Sequence, residues 1–143
     1  VKLNMIVLML SLVFLLSACN GSDDPEGSPS PEEALKKIGN EERNMTVYGT
    51  YKVNDDLVLF VFRGAMNEKD IWIADVHRED GRWTAQGIVQ MNGPIEGNGD
   101  RQTVIVNEED GYEAGYITSA ASDTEDLKMI DIDGVGDWKI WFK

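Results

Sequence analysis

Leu57-Val58-Leu59-Phe60-Val61-Phe62 is apolar at every position, so a strand built from it is apolar on both faces. Such a strand belongs in the middle of a sheet with both of its sides covered. The residues around it are punctuated for the same purpose. From Met45 onward the chain is a series of short β-type runs separated by Gly, Asn and Asp. Val47, Gly49, Tyr51 and Val53 alternate with Thr46, Tyr48, Thr50 and Lys52, which predicts a strand with one polar face.

The next unit is a hairpin whose register can be counted. A two-residue turn at Asp80-Gly81 pairs Glu79 with Arg82 and Arg78 with Trp83. The same count pairs Val76 with Ala85, Ala74 with Gly87 and Trp72 with Val89, all on one apolar face. The opposite face then carries His77 with Thr84, Asp75 with Gln86 and Ile73 with Ile88. Asn92-Gly93-Pro94 ends this hairpin, and residues 95–101 read as a loop. Thr103 to Val106 and Tyr112 to Thr118 flank the turn Glu108-Glu109-Asp110-Gly111. After a small acidic loop, Leu127 to Ile132 and Trp138 to Phe142 form the last two strands.

One helix is expected. Ser30 caps it, Pro31 takes its first position, and Glu33 completes an S-x-x-E box. Ala34, Leu35 and Ile38 supply its apolar stripe, and it stops at Gly39 or frays toward Arg43. The fold class is therefore mainly β: an antiparallel sheet or small β-sandwich of about eight strands with one short N-terminal helix. The alternative is α+β, with the helix packed on a curved antiparallel sheet.

The first residues follow a different logic. Val1-Lys2-Leu3-Asn4 is weakly positive, Met5 to Leu16 is apolar except for Ser11, and small residues precede Cys19, the only cysteine. As a helix, Met5 to Leu16 rises roughly 18 Å, short of the ~30 Å hydrocarbon core of a bilayer. Leu16-Ser17-Ala18-Cys19 resembles the lipobox of bacterial lipoproteins: Leu, a small residue, Ala or Gly, then Cys. The resemblance implies that Cys19 Sγ receives a diacylglycerol, that the signal is cut before Cys19, and that Cys19 becomes the N-terminus. It places the protein on the extracytoplasmic side of the cell membrane, with the lipid as partner through Cys19. Two acyl chains on one residue suffice for stable anchoring. The order of linker, helix and Trp-containing β run is similar to small uncharacterised lipoproteins of Gram-positive type, which brings no activity with it.

The domain plan that follows has three parts. Residues 1–18 are a signal peptide that is removed. Residues 19–30 are the lipidated Cys and a flexible acidic, Ser/Pro-rich tether. Residues 31–143 are one β-rich globular domain. Asn20 to Ser30 contains no apolar residue to anchor it, and reaches at most about 35 Å when extended.

The whole chain has a formal net charge of −13, and removing residues 1–18, which carry only Lys2, makes it −14. Nucleic acid and anionic lipid surfaces are repelled by such a domain, so no nucleic-acid partner is expected.

Three constellations carry candidate chemistry. Asp131, Asp133 and Asp137 surround two glycines between the last strands, which suits a hard cation such as calcium. Against an EF-hand loop the stretch lacks the acid at the fifth place, held by Val135, and the bidentate Glu at the twelfth, held by Phe142. A tight Asp/Gly turn accounts for the same residues. Among the four tryptophans, Trp72, Trp83 and Trp138 fall on apolar faces, whereas Trp141 lies between Lys139 and Lys143 and is expected to be exposed for ligand contact. His77, the only histidine, falls on the polar face near Asp75.

No Gly-x-Ser-x-Gly, phosphate loop or His-Glu-x-x-His is present, so no catalytic residue and no required cofactor is assigned. The expected function is a non-catalytic, membrane-tethered interaction domain with an envelope protein as a candidate partner. The alternative is a domain binding a divalent cation or a glycan. A hydrolase would require a pocket joining His77 to at least two carboxylates.

Overall fold

A computed structural model of the chain describes residues 26–38, 44–64 and 69–143. The signal, Cys19, the first part of the tether and Gly39 lie outside the described residues, and the helix already ends at Lys36, with Lys37 as its C-cap, short of the stop expected at Gly39.

Helix α1 spans Pro31–Lys36 and begins as its sequence requires. Ser30 is extended, and its hydroxyl accepts from the Glu33 N–H at 3.2 Å. Ala34 and Leu35 are its buried residues. The chain just before the helix is not free of the domain. Ser28 pairs with Trp83, donating its N–H to the Trp83 carbonyl at 2.7 Å and accepting from the Trp83 N–H at 2.8 Å. The expectation of an unanchored tether as far as Ser30 is corrected at that end: backbone pairing needs no apolar side chain.

Four strands form the first sheet as an antiparallel meander: β1 (Thr46–Asn54), β2 (Leu57–Arg63), β3 (Ile71–Glu79) and β4 (Arg82–Gln90). The second sheet holds β5 (Arg101–Asn107), β6 (Tyr112–Ile117), β7 (Lys128–Asp131) and β8 (Lys139–Phe142), in the order β5-β6-β8-β7.

The sheets face each other across Leu57, Leu59, Val61, Ile71 and Ile73 on one side and Tyr112, Tyr116, Ile130, Ile140 and Phe142 on the other. Tyr51 of the first sheet stacks on Phe142 of the second, with centroids 5.0 Å apart. The other face of the first sheet carries Phe60, Phe62, Ala74 and Val76, covered by Ala34 and Leu35 of α1. Both sides of β2 are therefore buried, as its unbroken apolar run demands. The molecule is a β-sandwich with a helix laid on its outside.

The Asp80-Gly81 turn has both residues at positive φ, 50° and 77°, as a type I′ hairpin turn requires. The counted register holds from Glu79↔Arg82 through Val76↔Ala85 and then slips by one residue. Gln86 is bulged, so Asp75 faces Gly87, Ala74 faces Ile88, Ile73 faces Val89 and Trp72 faces Gln90. The slip brings Ile88 into the cluster beneath α1 and leaves Val89 exposed. A similar bulge at Tyr48 turns that ring inward and Val47 outward, reversing the expected alternation at the start of β1. The bulges fall on β1, β4 and β5, which are edge strands and so free to bend.

Candidate functional site

Asp75 and His77 stand two residues apart on β3 and so share one face. That face continues from Ile71 and Ile73 and looks toward the second sheet, not toward open solvent. The turn between β5 and β6 brings Asp110 up to them from the other side. The ligating atoms of Asp75, His77 and Asp110 all lie within 4.8 Å of one another, and all three residues are half-buried. Among the described residues this is the single group of three or more His, Cys, Asp or Glu that could hold a metal.

Each carboxylate is held by a neighbour. The Tyr112 hydroxyl donates to Asp75 Oδ1 at 3.0 Å. The Asn107 amide donates to Asp110 Oδ2 at 2.9 Å, and the Asp110 N–H donates back to Asn107 Oδ1 at 2.9 Å. Burial pushes the Asp75 carboxyl above its ordinary range. The Tyr112 hydrogen bond and His77 oppose that shift, and the charge of Asp110 adds to it. Burial likewise keeps the Tyr112 phenol protonated far above its usual range, and the charges of Asp75 and Asp110 reinforce this. A depression of about 260 Å³ adjoins the group, lined by Val106, Asn107, Glu108, Gly111, Tyr112, Glu113 and Lys143. None of Asp75, His77 or Asp110 lines it. The two carboxylates that a hydrolase needs beside His77 are therefore present, without that depression enclosing them.

The acids of the β7–β8 connection are engaged elsewhere. Asp131 pairs with Lys139 at 2.7 Å. Asp133 Oδ1 receives Arg63 at 2.5 Å and the Tyr48 hydroxyl at 2.6 Å, and Arg63 also donates to the Asp133 carbonyl at 2.9 Å. Asp131, Asp133 and Asp137 do not gather as a ligand set. The turn ties the second sheet to the first through Arg63, which lines up two donors that calcium does not offer.

Trp141 is the clearest correction: it is 0 % exposed. Its strand, β8, lies between β6 and β7, and its indole reaches across Gly115 of β6 to donate to the Gln102 carbonyl at 3.1 Å. A Cβ on Gly115 would lie 1.8 Å from that carbonyl oxygen and 2.9 Å from the indole nitrogen. The Arg101 guanidinium lies 4.2 Å from the ring centroid and completes the cover. Flanking lysines marked the outer face of β8 correctly. What they did not reveal was that the other strands supply a lid for it. Trp138 packs against the inter-sheet core edge-on to Tyr116, and Trp72 and Trp83 pack beneath α1, as their apolar faces predict.

Asp110 was missed from the sequence because its partners are on another sheet. Alternation alone puts Asp75 with His77, but only the stacking of the sheets brings in a turn residue more than thirty positions away. Among the described residues, no helix is long and apolar enough to cross a membrane. Comparison of the chain with protein-family models, curated proteins and solved structures finds no match.

Proposed function

We propose that the chain is a lipid-anchored extracytoplasmic protein whose β-sandwich is a non-catalytic interaction domain for a component of the cell envelope. The observation that carries this reading is Leu16-Ser17-Ala18-Cys19 directly after a short apolar run, with no other cysteine in the chain. Lipidation at Cys19 removes the one thiol from chemistry and fixes the N-terminal side of the domain to a bilayer. The strong negative charge keeps such a domain off the anionic lipid to which it is tied. Val106 and Ile95, each 61 % exposed, give the second sheet's β5 side apolar contact surface. A glycan platform centred on Trp141 has lost its exposed ring, and that alternative is dropped.

The test is location. In a host that processes lipoproteins, the wild-type chain is expected in the membrane fraction and to be degraded by protease added to intact cells. Cys19→Ala is expected to leave the membrane fraction. Recovery of the wild type inside the cell, or unchanged membrane association of Cys19→Ala, contradicts the reading.

A further inference from the structure

We infer that Asp75, His77 and Asp110 form a binding site for one divalent transition-metal ion, which fastens the two sheets to each other at this end of the sandwich. The inference does not rest on the lipid anchor. Three observations carry it. First, the ligating atoms come within 4.8 Å of one another from two separate sheets, so modest side-chain rotation closes them to metal–ligand distances of about 2.0–2.2 Å.

Second, each carboxylate already has an orienting donor, Tyr112 on Asp75 and Asn107 on Asp110, and retains a second oxygen for an ion. Third, the two carboxylates are not committed to lysine or arginine. Among the described residues the ion pairs use Asp55, Asp56, Asp131 and Asp133, and none of them joins Lys or Arg to Asp75 or Asp110. Two half-buried carboxylates with one imidazole as the basic group beside them form a donor set that a cation from outside would suit.

The donor set selects the class of ion. Calcium and magnesium take oxygen ligands, whereas one imidazole nitrogen with two carboxylate oxygens suits zinc or manganese. Three protein ligands leave room for water to complete the shell. Binding bridges β3 and the β5–β6 turn, so it reads out as stability of the whole sandwich.

The experiment uses the full chain in detergent with Cys19→Ser, which removes the competing thiol, after stripping with a chelator. Zinc and manganese salts are the probes, and calcium is the control. Zinc is expected to bind one per chain and to raise the melting midpoint by about 5–10 °C at a free concentration a hundredfold above Kd. The nitrogen resonances of the single imidazole are expected to shift on zinc addition. Asp110→Asn and His77→Gln are each expected to weaken binding at least tenfold, and Asp131→Asn to leave it unchanged. If His77→Gln fails to fold, Asp110→Asn carries the comparison, since it alters one turn carboxylate. An unmoved midpoint with both zinc and manganese overturns the inference. So does a shift that Asp110→Asn retains in full, or one that calcium reproduces.

Discussion

Gly115 and Trp141 form one device, because the indole occupies the space that a side chain at 115 would need. Gly115→Ala is expected to destabilise the domain by about 3 kcal/mol or more, read by urea denaturation, because the clash is with backbone that cannot rotate away. Trp141→Phe loses the bond to the Gln102 carbonyl and weakens the Arg101 contact, and is expected to cost about 2 kcal/mol. Tyr116, like Tyr112, gives the domain an alkaline pH signature. Its hydroxyl donates to the Met91 carbonyl, and burial pushes its pKa up to about 12. Its folded pKa thus lies above the unfolded value near 10, so the folded state holds the proton longer. The stability Tyr116 supports is complete below about pH 10 and is lost as pH rises through 12. Melting midpoints measured from pH 9 to 12 are expected to fall, and to fall less steeply in Tyr116→Phe.

At the scale of elements, the hairpin shows what the sequence contains and where it stops. Asp80-Gly81 dictates the turn, so the four pairs nearest it can be counted from the residues alone. The slip at Gln86 cannot, because it is decided by Ile88 reaching the cluster beneath α1 instead of Val89. The same limit hides the Asp75–His77–Asp110 group, whose third member arrives from the other sheet. By contrast β2 and the start of α1 are legible: six apolar residues in a row admit only a doubly covered strand, and Ser-Pro-Glu-Glu admits a capped helix start. Ser30→Ala is expected to lower stability by about 1 kcal/mol, read from the chemical denaturation midpoint.

For the whole molecule, the division between tether and domain falls earlier than composition suggests. Ser28 is fastened to β4 by two backbone hydrogen bonds, so attachment to the domain reaches back at least to Ser28 and does not begin at Ser30. A chain begun at residue 31 is expected to be less stable than one begun at residue 26 by about 1–2 kcal/mol, compared by chemical denaturation. With a lipid at Cys19, as proposed, the nine residue steps to Ser28 would hold the β4 side of the sandwich within about 30 Å of the attachment point. All of this presumes an anchor at Cys19, which is the claim on which the function turns. The direct measurement is the mass of the mature N-terminal peptide recovered from the membrane fraction. The account predicts a peptide that starts at Cys19 and carries a thioether-linked diacylglycerol. A mature chain that retains residues 1–18, or one with an unmodified Cys19, contradicts it.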